Sequence, residues 1–154
     1  MRGIQFTDNN GIASFKTIYP GWYVGRVTHI HVKVHINSTL NNSSGTIIGG
    51  HTSHTGQIYF NDTTDSEIAK LEPYSDRASV PRTPQNSDSI FVRQGGVESL
   101  LDLQFIDNSV KYSGGFVASI VLGVDSKSAA SAMELSWIVV LFFGLFLHVQ
   151  LFFI

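Results

Sequence analysis

The sequence predicts an all-β fold, a β-sandwich followed by a hydrophobic helix, and three observations support it. Residues 29–35 read HIHVKVH, so His29, His31, Lys33 and His35 alternate with Ile30, Val32 and Val34. Successive side chains of an extended strand point to opposite faces, and β-branched residues fill the apolar face, so this is a half-buried strand. The rest of residues 1–125 falls into short apolar runs broken by Gly, Asn, Asp, Ser and Thr, the spacing expected of a sandwich. Residues 137–154, WIVVLFFGLFLHVQLFFI, carry no charged residue; as a helix they would extend roughly 27 Å, near the hydrocarbon thickness of a bilayer.

Taken in order, GIASFKTIYP predicts a strand entering a proline turn, HIHVKVHI the next strand, and NSTLNNSSG a polar loop. TIIGGHTSHTGQIYF predicts one or two strands, ending in the alternating QIYF. DTTDSEIAKLEPYS is more helical in pattern, and RASVPRTPQNSDS is a proline-containing loop. SIFVRQ and SLLDLQFI read as strands, and FVASIVLGVD as a strong last strand. This gives one β-sandwich domain over 1–125, a small and polar linker over 126–136, and the hydrophobic tail over 137–154.

The chain has 154 residues, enough for one domain. Its net charge of −2, with no basic stripe, argues against nucleic acid as a partner. It contains no cysteine, which excludes disulfides, thiolate metal sites and cysteine nucleophiles. The N-terminal MRGIQFTDNNG has no apolar run of the signal-peptide kind. Sequons at Asn37, Asn41, Asn42 and Asn61 would be glycan acceptors on surface loops in a secreted chain. The tail admits three readings: a membrane anchor, the hydrophobic part of a GPI-attachment signal, or an extension from an incorrect gene model.

The candidate chemistry gathers around the histidine strand. Two histidines at i and i+2 stand roughly 6–7 Å apart along a strand, close enough to converge on one metal ion. Tyr23 and Arg26 precede them, and HTGQIYF follows. A tyrosinate oxygen with neutral imidazoles suits ferric iron better than zinc. Taken singly, Tyr23 reads as a turn aromatic, Arg26 as a solvated loop charge and Gln57 as an ordinary strand polar residue. Tyr19 is a rival to Tyr23, while His35, His51 and His54 read as surface residues, with His54 a candidate for the layer behind the metal ligands.

The order RG-x-x-x-TD-x-x-G-x-x-x-F-x-TIYPGWY-x-GR-x-x-HIH, followed by HTGQIYF, resembles the intradiol ring-cleavage dioxygenases, most closely the extracellular-type branch of fungi and arthropods. EPYSDR, the TPQNSDSIF segment and the closing FVASIVLGVD extend the resemblance over most of residues 2–125. It implies an antiparallel β-sandwich carrying a mononuclear, non-haem Fe(III) site. It also implies cleavage of a catechol-type ring with O2 to a muconate-type dicarboxylate, in aromatic-compound catabolism, by a secreted or cell-surface protein. By this resemblance Tyr23, His29 and His31 are metal ligands, Arg26 stabilises negative charge on the ring, and Gln57 lies close to the substrate.

The family's first tyrosine ligand and first strands are expected upstream of the RG-x-x-x-TD segment, where this chain begins, so the chain corresponds to the C-terminal part of the family domain. An edge left open there invites pairing with another chain, a homodimer being the simplest form. Two alternatives to an active dioxygenase stand beside it. One is an inactive, surface-attached β-sandwich module with a remnant metal site. The other is a cupin-like or zinc-dependent enzyme that uses HIH with a further ligand.

Overall fold

The computed structural model describes residues 3–125 and 145–153. Eight strands and two short α-helices are present among them: β1 (Ile12–Thr17), β2 (His29–Ile36), β3 (Thr39–Asn41), β4 (Thr46–Ile48), β5 (His51–Tyr59), α1 (Asp62–Ile68), α2 (Ser89–Arg93), β6 (Asp102–Phe105), β7 (Phe116–Val124) and β8 (Leu145–Phe153). The strands form a four-stranded sheet in the order β1-β8-β7-β6, a two-stranded ribbon β2-β5, and a small hairpin β3-β4. The fold is β-rich, as the alternation and turn residues require.

The apolar face of β2 goes inward. Val34 and Ile58 of the ribbon are buried in one cluster with Ala13 of β1, Phe116, Ala118 and Leu122 of β7, and Phe60 and Ile68; Ile30, Val32 and Ile36 pack against it. Burial of such side chains stabilises by about 1.5–3 kcal/mol each, and here it fixes which way the ribbon faces. The opposite face, carrying His29 and His31, is thereby turned away from the main core. Gly50 adopts φ 59°, and a Cβ there would lie 2.0 Å from the Ile36 carbonyl oxygen, so only glycine allows β5 to start this close to the end of β2.

Several segments depart from expectation. NSTLNNSSG is not wholly a loop: Thr39–Asn41 pairs with Thr46–Ile48 as a hairpin. Its turn is built by Asn41, whose side-chain oxygen accepts from the Ser43 and Ser44 N–H groups at 3.0 and 3.3 Å. Another sequon residue, Asn61, caps α1 by accepting from Thr64 N–H at 2.7 Å. SIFVRQ is helical over Ser89–Arg93 rather than a strand. Its apolar, β-branched composition suggested extension, but the Asp88 carboxylate accepts from the Ile90 and Phe91 N–H groups and starts a helix instead.

The largest correction concerns the tail. Leu145–Phe153, expected as part of a helix, is strand β8, paired antiparallel to β7 and parallel to β1. β7 is therefore not the last strand, and the sheet is mixed rather than antiparallel throughout. A short uncharged apolar run suits a strand hydrogen-bonded on both sides as well as it suits a helix. The two waiting edges of β1 and β7 decide between them, and the parallel pairing is feasible because most of the chain serves as the crossover. Residues 126–136 of the expected linker, and 137–144 and 154 of the expected tail, lie outside the described residues. Among the described residues no helix is long and apolar enough to cross a membrane.

Candidate metal centre

The register of the ribbon assembles the site. In β2-β5, His29 lies opposite Tyr59 and His31 opposite Gln57, and directly opposed residues of an antiparallel pair share a face. Four candidate side chains therefore stand as two cross-strand pairs. The His29 and His31 rings are 5.0 Å apart between centroids, and the Tyr23 ring is 6.0 Å from His29. Tyr23 comes from the loop after the Pro-Gly turn and is 53% exposed.

His29 Nδ1 lies 2.6 Å from the Val27 carbonyl oxygen. The carbonyl can only accept, so Nδ1 carries the proton and the Nε2 lone pair is left for a metal, the arrangement usual for ligating histidines. Burial lowers the His29 pKa, with the Arg26 and His31 charges acting in the same direction against the raising effect of Val27. The imidazole is thus held neutral, the form that ligates.

Arg26 is fixed at two points. Its Nε donates to Asp88 Oδ2 at 2.9 Å, and its Nη2 donates to Gln57 Oε1. Tyr59 also donates to Gln57 Oε1, at 2.7 Å. With its oxygen accepting from two donors, the Gln57 amide has a defined orientation and presents its NH2 as the remaining donor. Burial, reinforced by the Asp88 charge and opposed by Arg26, pushes the Tyr59 phenol up to about 12, so it remains a protonated donor. Beneath these groups a second small core of Val27, Tyr59 and Phe91, with Leu100 against it, closes the floor.

The structure brings Tyr23, Arg26, His29, His31 and Gln57 to one face. It removes Tyr19 from consideration as a ligand, because that residue is buried in the main core with its hydroxyl donating to Asp65. His35 is half-buried with Nδ1 3.4 Å from Thr52 Oγ1. His51 and His54, expected at the surface, are half-buried. His54 pairs with Val34 in the unbroken register and so shares the core face with Ile58, while a bulge between Val34 and His35 pairs His51 with Ile36 and turns it to the same face. Sequence reasoning missed Asp88 and Tyr59. The signals were present: Ser-Asp-Ser before an apolar run is a helix-cap pattern, and Tyr59 follows Gln57 at the same-face spacing of two.

The available donors are two imidazoles and a phenol. Among the described residues no cluster of three or more histidine and carboxylate side chains exists, so a zinc or cupin-like site needing another such ligand has no further donor there. A phenol oxygen with two imidazoles, one of them oriented by a backbone carbonyl, fits a hard trivalent ion.

Solved structures share this arrangement of chain. The chain is similar to an intradiol ring-cleavage dioxygenase from Tetranychus urticae, with 25% sequence identity and a TM-score of 0.57, over 73% of this chain and 47% of that one. A second solved dioxygenase matches with 26% identity and a TM-score of 0.55, over 73% of this chain and 46% of that one. No family profile and no curated protein matches. The matched part has an intradiol dioxygenase fold, and the chain spans about half the length of the solved dioxygenases it matches.

Proposed function

We propose that this chain carries the histidine half of a non-haem Fe(III) intradiol dioxygenase site, which cleaves a catechol-type ring with O2 to a muconate-type product. The observation that carries the reading is the ribbon register, which sets His29 and His31 beside Gln57 and Tyr59 within the fold the solved dioxygenases share. The common core of ribbon and large sheet supports the sandwich architecture.

In this reading Tyr23, His29 and His31 hold the ion. Bound ferric iron would supply Lewis acidity and accept electron density from the substrate. The protein's own groups do the rest. Arg26 is charged at every working pH and offsets negative charge on the bound ring without titrating. Gln57, its oxygen already engaged, offers its amide NH2 to a substrate oxygen. The Val27 carbonyl keeps the His29 proton on Nδ1 and so keeps Nε2 on the metal side. The floor of Val27, Tyr59, Phe91 and Leu100 excludes water beneath the ring.

Loading the purified chain with ferric iron tests this. A wine-red tyrosinate charge-transfer band is expected, absent in Tyr23→Phe, together with catechol loss matched by O2 uptake. A colourless ferric protein overturns the reading. A coloured protein without turnover favours the inactive module with a remnant metal site.

A further inference from the structure

Asp88 is 1% exposed and lies 62 residues beyond Arg26, yet its two carboxylate oxygens do separate work. Oδ1 accepts from Ile90 N–H at 2.8 Å and Phe91 N–H at 3.3 Å, which caps α2. Oδ2 accepts from Arg26 Nε at 2.9 Å and from Val27 N–H at 2.9 Å. Arg26 and Val27 are the residues through which the site is oriented: one carries the cation, and the carbonyl of the other fixes the His29 tautomer.

We propose that Asp88 is the positioning residue of this site, its Oδ2 clamping the Arg26 guanidinium and the Val27 peptide so that cation and imidazole meet the substrate in one geometry. The proposal rests on the dioxygenase reading for its consequence in catalysis, though the clamp itself does not. With Nε held by Asp88 and Nη2 by Gln57, the Arg26 guanidinium has a fixed plane from which to face an anionic ring oxygen. A guanidinium on an unclamped stem has rotamers to lose on binding, and displacement of a catalytic group by about 1 Å costs on the order of 100-fold in rate. Burial works against the Asp88 carboxylate, but the hydrogen bonds from Val27, Arg26, Ile90 and Phe91 outweigh it and hold its pKa below the ordinary range. The clamp is therefore ionised wherever the protein is folded at neutral pH.

Asp88→Asn separates the two oxygens, because an asparagine still caps the helix while its NH2 confronts two donors in place of Oδ2. In the metal-free wild-type chain, NMR is expected to show an Arg26 Nε–H protected from exchange, with the protection lost in D88N. Absence of protection in the wild type overturns the clamp outright, whatever becomes of any variant. In iron-loaded protein, D88N is expected to keep its charge-transfer colour and lose about 100-fold in kcat/KM. The double variant D88N/R26Q is expected to be no slower than R26Q, since Asp88 acts through Arg26. D88S, whose hydroxyl also caps the helix, is read the same way if D88N does not fold. Multiplying losses in the double variant overturn the positioning role and leave the dioxygenase reading standing. A colourless wild type defeats that reading, and the exchange measurement still judges the clamp.

Discussion

Asp65 and Asp88 are both buried, at 3% and 1% exposure, and physical chemistry treats them oppositely. Asp88 sits among a guanidinium and three backbone N–H groups, so its pKa falls despite burial. Asp65 sits in the core wall of α1, with the Tyr19 hydroxyl as a donor. Burial dominates there and pushes it up to about 7, although Tyr19, Arg82 and Thr28 all pull the other way. Burial alone thus says little about a carboxylate's charge; the number and charge of its donors decide. The charged one stands next to the candidate site, and the one poised to lose its charge stands in the scaffold.

The comparison breaks most sharply with Asp88→Ala. That change orphans a guanidinium that is 18% exposed, strands the Val27 N–H and removes a helix cap. Removing one partner of such a pair costs about 3–5 kcal/mol, measured as a lower urea midpoint. Asp65→Asn is expected to cost much less at pH 8, because it removes a charge that burial disfavours.

The two carboxylates also predict opposite pH slopes. Asp65 has a folded pKa of about 7 against an ordinary value of 3.8. Between those values the folded chain holds a proton that the unfolded chain has released, so this group makes stability fall as pH rises from about 4 to about 7. Above 7 the penalty is complete, and D65N flattens the slope. Asp88 has a lowered pKa, so its contribution is fully present above its ordinary value and is lost as pH falls through the folded value. Urea unfolding across pH 3–8 in D65N and D88N separates the two slopes. Tyr19→Phe sharpens the contrast. Removing the Tyr19 hydroxyl deletes a donor that lowers the Asp65 pKa, so the fall in stability extends to higher pH, with a loss of about 1–2 kcal/mol near neutrality.

The sequence made the geometry of the candidate site legible because strand periodicity is strict. HIH fixes two imidazoles on one face, and Gln57 and Tyr59 fall on the matching face of the partner strand at the same spacing of two. Asp88 was hidden because its contact with Arg26 spans 62 positions and no local pattern encodes it. The tail was misjudged for a different reason. Hydropathy measures the wish to leave water and is silent on whether the hydrogen bonds close within the segment or across strands, and in β8 they close across. His51 was misplaced because a bulge shifts the face by one residue, and bulges have no strong composition signature; His54 was misplaced although plain alternation from Ile58 and Gly56 already sets it on the core face.

The core face of the ribbon supplies the smallest expected effect. There β5 carries Gly56 opposite Val32, and a Cβ built on Gly56 would come within 2.7 Å of His54 Nε2. The missing side chain is the space in which the His54 ring lies. Burial lowers the His54 pKa, so the ring is accommodated there as a neutral group. The φ of Gly56 is not in the left-handed region, so alanine meets no backbone strain there, and the offending atom is the end of a side chain with rotamers to spare. Gly56→Ala is therefore expected to cost about 1 kcal/mol through displacement of the ring rather than rupture of the strand. One residue on and facing the other way, Gln57 keeps its pairing with His31 across the ribbon, so an iron-loaded G56A should retain both colour and the wild-type KM for catechol. A shifted charge-transfer band in G56A would show that the core face and the histidine face of the ribbon are mechanically coupled.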